Sequence, residues 1–383
     1  MNLLIHDLPA EDWEIIADSW QGWDIISDSG GIRPCIGCFR CWTGGTGTCV
    51  FKDGYEKMGE RIHNADEVVV MSRYTYGGFS SFVKNVFDRS LGYVLPEFET
   101  AYGEMHHKKR YPEDKPVTFR FRGAGLSEND KEKAQRYVAA VCRNLRGTVK
   151  EVIFDECAPA ADDAAAAMRE SPERSGVLLV DCSLRGKRSN TRIFLKRLQA
   201  VLRTHAEMEG LSSVSSSVSS PEEVAYAVSR AETVILGIPL YVDGIPSSAL
   251  RMLNAVKRRE NGNPGRVYTV VNNGLYESRQ NENLLSMIRD WCSEKGFQYC
   301  GALAIGAGEM VGTLMRGRKR VLWPAHNAIS GLRRLAETIA AGCQTEDIYA
   351  DPFLFARWLY ILIANTNWQR LKRKETGDGS LSP

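Results

Sequence analysis

Four cysteines stand close together near the start of the chain, at Cys35, Cys38, Cys41 and Cys49. With the spacing C-x2-C-x2-C-x7-C, the first three thiolates can surround one compact metal centre. The glycine-rich stretch after Cys41 lets the chain turn back so that Cys49 can supply the fourth thiolate. A [4Fe–4S] cluster suits this spacing best. Structural zinc more often uses two C-x2-C pairs separated by a longer span, and free thiols kept for packing or dithiol chemistry are the third alternative.

A second segment that could do chemistry follows the apolar run GVLLVDC. Hydroxyl, amide and cationic side chains stand there before an amphipathic helical pattern: Ser183, Arg185, Lys187, Ser189, Asn190 and Thr191. Such a turn presents free backbone N–H groups and the positive end of a helix dipole to an anion. The segment therefore predicts a monophosphate site, with a plain helix N-cap as the alternative.

Short β-branched runs alternate with helical patterns along the chain, which predicts parallel sheets with crossover helices. The expected strands are NLLIH, EVVVMS, VTFRF and EVIFD in the first half, and GVLLVD, TVILGI, RVYTVV and GALAIG in the second. The expected phosphate segment thus follows the first strand of the second half. Ligands gather at the carboxyl ends of the strands in such sheets.

The chain divides at a stretch poor in large apolar residues, ECAPAADDAAAAMRESPERS. We expect one domain over residues 1–155, a linker over 156–175, and a second domain over 176–383 that carries a C-terminal helical extension. Twenty residues from Ala65 align without a gap with twenty from Ala231, at a constant offset of 166. This alignment indicates an internal duplication.

With these motifs the chain resembles the flavodoxin-like family that includes NAD(P)H-dependent FMN reductases and iron–sulfur flavoproteins. The resemblance rests on SLRGKRSNT, PLYVDG and VNNGLYESRQN in the second half and on the cysteine spacing in the first. It implies an α/β fold of two tandem flavodoxin-like doubly wound parallel-sheet domains. It also implies that FMN phosphate binds the segment 183–191 and that the ring binds the two later loops. The ring contacts would be Pro239, Leu240, Tyr241, Val242, Asp243, Gly244, Asn272, Asn273, Gly274 and Tyr276.

The first half has no phosphate segment of this kind. HDLPAEDWE follows its first strand, and Asp7, Glu11 and Asp12 would repel a dianionic phosphate. We expect no FMN held by this domain alone. One half keeps the cysteines and the other keeps the phosphate segment, so we expect an internal pseudo-dimer in which a cluster in the first domain faces the FMN of the second. Further homo-oligomers stay open.

The resemblance implies an FMN-dependent oxidoreductase that relays electrons between a [4Fe–4S] cluster and FMN, with a small-molecule or protein redox partner. Three alternatives stay open: a plain NAD(P)H-dependent FMN or quinone reductase without a cluster, a non-catalytic electron-transfer flavoprotein, and a binding module that has lost redox function. No G-x-G-x-x-G follows a first strand, so NAD(P)H would be a transient donor bound over the flavin.

Composition and the distribution of apolar residues limit the classes of partner and the location that we expect. With 49 basic against 47 acidic residues the chain has no net attraction for nucleic acid. No run approaches the roughly 18 apolar residues of a membrane span, and FARWLYILIA predicts a buried or interfacial helix. The start lacks a cationic signal region, so we expect a cytoplasmic protein. The six scattered cysteines are expected to be small buried hydrophobes, and GEMHHKKRYPEDK a solvated loop.

Overall fold

A computed structural model describes residues 1–28, 31–157, 175–205, 210–259, 264–316 and 323–376. The chain forms two compact units, Met1–Ala160 with Arg357–Pro383, and Ala161–Ala356. The C-terminal segment therefore belongs to the first unit, whereas the sequence placed it with the second domain. The expected linker, 156–175, lies outside the described residues except at its two ends.

The first unit is built on a parallel sheet. Its elements are β1 (Leu3–His6), α1 (Ala10–Ile16), β2 (Asp24–Ser27), α2 (Arg40–Thr43), α3 (Met58–Asn64), β3 (Val68–Arg73), α4 (Ser81–Arg89), β4 (Val94–Ala101), β5 (Glu104–Lys109), β6 (Pro116–Gly123), α5 (Glu128–Asn144) and β7 (Thr148–Glu156), with the last helix of the chain, α12 (Arg357–Thr376). The sheet has the order β2-β1-β3-β6-β7, and β4 and β5 pair separately as an antiparallel ribbon. This is the flavodoxin-like strand order 2-1-3-4-5.

The second unit repeats that order. Its elements are β8 (Ser175–Asp181), α6 (Asn190–Leu202), β9 (Ser212–Ser215), α7 (Pro221–Arg230), β10 (Ala231–Pro239), α8 (Ser247–Ala255), β11 (Gly265–Asn272), α9 (Glu282–Lys295), β12 (Phe297–Ile305), α10 (Gly308–Arg316), α11 (His326–Ala340) and β13 (Ile348–Ala350). The parallel sheet runs β9-β8-β10-β11-β12-β13, so β13 extends the same pattern by one edge strand. The expected α/β fold with two flavodoxin-like parallel-sheet domains is confirmed.

The central strands are buried along nearly their whole length, because both faces of each sheet are covered. Strands of this kind read as continuous apolar runs rather than as alternating patterns. All eight strands expected from such runs are present. The helix α6 lies close against β10, since a Cβ atom at Gly237 would approach the Leu195 side chain to 2.4 Å.

The 166-residue offset also holds in the backbone. Helices α4 and α8 begin and end at equivalent positions, and the loop before each closes on two backbone hydrogen bonds, between Thr75 and Gly78 and between Tyr241 and Gly244. Both loops have positive φ at their two central residues. One of these is Val242, at φ +38°, where a β-branched side chain is strained. The two halves thus share one unusual turn at the end of the third strand.

Three further sequence predictions concern the stretch GEMHHKKRYPEDK, the six scattered cysteines and membrane spans. GEMHHKKRYPEDK is not a solvated loop, because β5 pairs with β4 and buries His106. Of the scattered cysteines, Cys343 is exposed and Cys157 is partly buried, while the other four are buried as expected. Among the described residues no helix is both long and apolar enough to cross a membrane.

Candidate functional site

Three loops of the second unit meet at the carboxyl edge of its sheet, and Asn272 joins them. The Thr191 hydroxyl, at the start of α6, donates to Asn272 Oδ1 at 2.7 Å. The Leu240 N–H, in the loop after β10, donates to the Asn272 carbonyl at 2.8 Å. Three of the segments that the sequence assigned to one ligand are therefore brought together by one residue at the end of β11.

The loop after β8 has the expected form of a helix N-terminus. Ser189 caps α6, its Oγ accepting from the Arg192 N–H at 3.1 Å. Ser183 is buried, and its N–H donates to Asp181 Oδ1 at 3.1 Å. Burial raises the pKa of Asp181 to about 6, partly offset by the Ser183 hydrogen bond. Lys187 is exposed, so its ammonium group faces solvent.

Helix α10 lies against this loop and supplies a carboxylate to it. Glu309 Oε2 accepts from Asn190 Nδ2 at 2.6 Å and from Arg185 Nη1 at 3.2 Å. Near the end of the helix Arg316 donates to the Arg188 carbonyl at 2.8 Å and to Asn190 Oδ1 at 3.1 Å. Two side chains expected to bind phosphate, Arg185 and Asn190, are thus bonded to α10.

The close approach of α10 depends on a glycine. A Cβ atom at Gly312 would lie 2.5 Å from Asn190 Oδ1, so a larger residue there would push the helix away. The turn before α10 is held by hydrogen bonds from Ala307 to the Leu275 carbonyl at 2.6 Å and from Gly308 to the Asn273 carbonyl at 2.7 Å. The segment GAGEM, residues 306–310, therefore both holds the loop after β11 and places Glu309. Its glycines were visible in the sequence, but the role of Glu309 was not.

The residues of the two loops expected to flank a flavin ring differ in burial and in the hydrogen bonds that their side chains make. Asn273 Nδ2 donates to the Glu277 carbonyl at 2.9 Å, but Asn273 Oδ1 is buried and has no hydrogen-bond partner in the described part of the chain. Gly274 is exposed and faces open space. The Tyr276 hydroxyl donates to the Phe355 carbonyl at 2.6 Å, so this ring is held by the unit itself. Of the remaining expected contacts, Pro239 ends β10, and residues 240–244 form the turn after it, with positive φ at Val242 and Asp243.

The four clustered cysteines of the first unit line one cavity, together with Phe51 and Arg89. The loop reaches this shape through positive φ at Gly37 and at Phe39. Cys38 is exposed and the other three are partly buried. Within the described ranges no three His, Cys, Asp or Glu side chains are arranged to hold a metal ion. The thiols thus share a cavity without forming a ligand cage.

Burial dominates the chemistry of these thiols. It raises the pKa of Cys41 to about 12, with the neighbouring Cys49 and Cys38 adding to the shift. Burial raises the pKa of Cys35 further, and the charge of Asp88 acts in the same direction. Thiols of this kind are protonated and weakly nucleophilic near neutral pH.

Arg89 borders the cysteine cavity and was not singled out in the sequence. Its guanidinium group makes two 2.8 Å hydrogen bonds with the Asp53 carboxylate and donates to the Arg33 carbonyl at 2.7 Å. The bonds from Arg89 lower the pKa of Asp53 to about 2. The Arg89 Nε–H is buried and has no acceptor among the residues described. A buried donor without a partner beside four thiols favours an acceptor in the cavity.

The C-terminal helix α12 completes the surroundings of the cysteine loop. Trp368 lies edge-on to Phe39 at 5.6 Å and to Trp42 at 5.5 Å between ring centroids. The Thr43 hydroxyl donates to Glu375 Oε2 at 2.5 Å. A chain segment more than 300 residues away in sequence thus packs against the short helix α2, which carries Cys41.

In the first unit a carboxylate lies where the loop after β8 lies in the second. Both oxygens of Asp7 accept from the Arg73 N–H, at 3.0 and 3.1 Å, and burial raises the pKa of Asp7. Asp12 forms an ion pair with Arg122 at 2.8 Å. These carboxylates leave no cationic loop for a phosphate among the residues described there.

No protein-family model matches the chain, and no curated protein matches it either. Among solved structures it is similar to an FMN-dependent NADH-azoreductase from Bacillus anthracis, at 13% identity and a TM-score of 0.33, over 43% of this chain and 99% of that one. It is similar to an NAD(P)H:quinone oxidoreductase from Methanothermobacter marburgensis, at 13% identity and a TM-score of 0.32, over 43% and 96%.

A third similar structure is the Flv1 flavodiiron core from Synechocystis sp. PCC6803, at 9% identity and a TM-score of 0.30, over 87% of each chain. All three TM-scores lie below 0.5, and these likenesses carry no argument about function.

Proposed function

We propose that this chain is an FMN-dependent oxidoreductase. The observation that carries the proposal is the joining of three loops by Asn272 at the carboxyl edge of the second sheet, beside the N-terminus of α6. In a parallel sheet of this order the chain leaves β8 and β10 in opposite directions, and the crevice at that switch point is where ligands bind. A helix N-terminus there favours the phosphate end of the ligand.

The residues divide into two groups in this proposal. The phosphate would be held by the backbone of the loop after β8 and by Ser183, Arg185, Lys187, Ser189, Asn190 and Thr191. The ring would lie against the loops after β10 and β11, where Asn273 Oδ1, which has no partner among the described residues, suits a donor such as the N3–H of an isoalloxazine. When bound, FMN would supply the exchange of one or two electrons, while the protein sets its position and potential.

The flavin proposal is tested by binding. Replacing Ser189 with Ala and Thr191 with Val removes two hydroxyls at the start of α6, and we expect FMN affinity to fall at least about tenfold. Thr204→Val, on an exposed turn after the same helix, is the matched control and should leave the affinity unchanged. Riboflavin, which has no phosphate, should bind the double variant and the parent chain alike. Full FMN affinity in the double variant would contradict the proposed phosphate loop.

Turnover separates an enzyme from an electron carrier. We expect the FMN-loaded protein to oxidise NADH or NADPH continuously when a quinone or a dye accepts the electrons. Absence of continuous NADH or NADPH oxidation by the FMN-loaded protein, with the acceptor present, would favour the non-catalytic electron-transfer flavoprotein. A purified protein that binds neither FMN nor riboflavin would favour the binding module without redox function.

We further propose that Cys35, Cys38, Cys41 and Cys49 hold a [4Fe–4S] cluster that exchanges electrons with FMN. Two observations support this: four thiols line one cavity, and the Arg89 Nε–H, which has no acceptor within the described ranges, could donate to a cluster sulfur. The plain reductase without a cluster is the second candidate. It is favoured by the absence, in the described part of the chain, of any side-chain arrangement that holds a metal ion.

Iron and sulfide analysis after anaerobic purification decides between these candidates. A cluster-bearing protein should contain about four iron and four sulfide per chain and a broad absorption shoulder beyond the flavin bands. Cys35→Ser should lose the iron, whereas the exposed Cys343→Ser should keep it. Flavin bands without iron or sulfide would leave the plain reductase. If both groups are present, reduction of one by the other in a rapid-mixing experiment tests the relay.

A further inference from the structure

We infer that Glu309 is an internal competitor for the phosphate of FMN, a role that rests on the proposed function. Its carboxylate already occupies two donors of the loop after β8, Asn190 Nδ2 at 2.6 Å and Arg185 Nη1 at 3.2 Å. An incoming phosphate would need the same amide and guanidinium groups. Two donors of the loop are therefore already bonded to a carboxylate of the chain itself.

The competition follows from charge as well as from shared donors. A carboxylate and a phosphate held by one loop repel each other, and the repulsion is strongest where water is partly excluded. Charged groups from several elements lie near this place: Arg185 from the loop, Glu309 and Arg316 from α10, and Asp181 from β8, on whose carboxyl Arg192 of α6 acts by charge. Glu309 accepts from the side chains of Asn190 and Arg185, whereas Asp181 accepts from the Ser183 N–H.

The contact is built so that it can open. The Glu309 side chain is 51% exposed, and the Arg185 side chain is 20% exposed. Helix α10 itself is anchored separately, through Gly312 against Asn190 and through Arg316 to the Arg188 carbonyl. Rotation of the Glu309 side chain into solvent would free the donors while the helix stays in place.

This arrangement makes the loop selective. A ligand with a dianionic phosphate can displace one carboxylate because it offers more charge to the same donors, whereas a ligand without phosphate has no means of doing so. Glu309 would then set how tightly FMN is held, without affecting contacts to the ring. Removing the carboxylate should tighten binding of FMN and leave riboflavin unaffected.

The test measures FMN and riboflavin affinity in the full chain. We expect Glu309→Ala to lower the Kd for FMN by about 5- to 30-fold, the range for one charge-assisted hydrogen bond at a half-exposed site. Glu309→Gln, which keeps the shape of the side chain, should lower it by about 3-fold. Glu337→Ala, at an exposed position of α11, is the matched control and should change nothing. The Kd for riboflavin should stay within about 2-fold in all variants.

A double-mutant cycle sharpens the result. In an Arg185→Gln background the gain from Glu309→Ala should shrink, because one of the shared donors is gone. Tighter FMN binding with unchanged riboflavin binding supports the inference. Unchanged or weaker FMN binding in both Glu309 variants, with FMN still bound by the parent chain, overturns it and leaves the proposed function intact. Binding of neither flavin by any variant overturns both.

Discussion

The side-chain amide of Asn365 hydrogen-bonds both backbone polar groups of Phe98. Its Oδ1 accepts from the Phe98 N–H at 2.7 Å, and its Nδ2 donates to the Phe98 carbonyl at 3.0 Å. The amide thus imitates a neighbouring strand and fastens α12 to β4, within the unit that carries the cysteines. Lys372 and Glu97 add an ion pair at 2.6 Å along the same contact.

We expect Asn365→Ala to lower the free energy of unfolding of the first unit by about 1–3 kcal/mol, because two backbone groups lose their partners. Asn365→Asp keeps the acceptor but sets a carboxylate oxygen against the Phe98 carbonyl, so it should cost at least as much. Urea unfolding followed by tryptophan fluorescence reports the change, since Trp42 and Trp368 lie 5.5 Å apart in this unit. Asn367→Ala, at an exposed position of the same helix, should have no effect, and an equal loss there would refute the assignment.

His6 makes the first unit sensitive to acid. Burial lowers its pKa from 6.5 to about 4, while Nδ1 accepts from the Leu8 N–H at 3.2 Å. Between these two pKa values the unfolded chain therefore binds a proton at His6 that the folded unit does not bind. The part of the free energy of unfolding that is present above pH 6.5 is lost as the pH falls towards 4. The loss from this group is on the order of 2 kcal/mol.

His6→Asn should reduce that acid sensitivity, because an amide oxygen can accept from the Leu8 N–H and does not titrate. Native-state hydrogen exchange in peptides from β1 and β3, compared at pH 7 and pH 5, measures the difference between variant and parent. Equal losses of protection in both would show that His6 does not carry the effect.

Asp181 is the counterpart of His6 in the second unit and has the opposite pH dependence. His6 pairs with Met71 and Asp181 with Gly237, and these partners stand 166 residues apart. Burial raises the pKa of Asp181 from 3.8 to about 6. The folded unit therefore holds a proton more tightly than the unfolded chain, so stability present below pH 3.8 is lost as the pH rises through 6.

Asp181→Asn should be insensitive to pH in this window, so the parent chain should lose on the order of 2 kcal/mol relative to the variant between pH 3.8 and 6. The amide keeps an acceptor for the Ser183 N–H. Hydrogen exchange in peptides from β8 and β10 measures the free-energy difference at each pH. A difference that does not change with pH would contradict the assignment.

Val242 stores backbone strain in the turn after β10. Its φ of +38° is unfavourable for a β-branched residue, and glycine adopts such a value freely. Val242→Gly should stabilise the second unit by about 0.5–1 kcal/mol after the entropy of glycine is counted. Val242→Ala keeps the Cβ atom and should bring little gain. Thermal unfolding compares the three chains, and a destabilised glycine variant would argue that the turn is not strained.

The thiols of the cysteine cavity should differ in reactivity in protein prepared without iron. Cys38 and Cys343 are exposed, whereas burial raises the pKa of Cys41 to about 12 and raises that of Cys35 as well. Only the thiolate attacks a disulfide reagent. At pH 8 we therefore expect a fast phase of Ellman's reaction that Cys38→Ser or Cys343→Ser diminishes, and a slow phase that Cys41→Ser diminishes. Loss of the fast phase in Cys41→Ser would contradict the burial.

The sequence by itself determined the central strands of both units and the common turn at the ends of β3 and β10. Buried parallel strands must be apolar on both faces, so GVLLVD or EVVVMS is readable from composition alone. The shared turn was predictable from the constant offset between the two halves, which relates Thr75 to Tyr241. A turn depends only on a few neighbouring residues, so similar local sequences form the same turn. The types of residue in the loops after β8, β10 and β11 were readable for the same reason.

Only the tertiary structure decided which distant groups meet. The edge strand β9 is SSVS and has no apolar run, so its pairing with β8 follows from the sheet and not from local composition. Arg185 and Glu309 are 124 residues apart, and Asn365 and Phe98 are 267 apart. Local periodicity records which face of an element is buried, whereas such contacts depend on how whole elements pack. The cysteine spacing and the polar segment 183–191 were visible in the sequence, but the carboxylate of Glu309 on that segment and the helix α12 beside the cysteines were not.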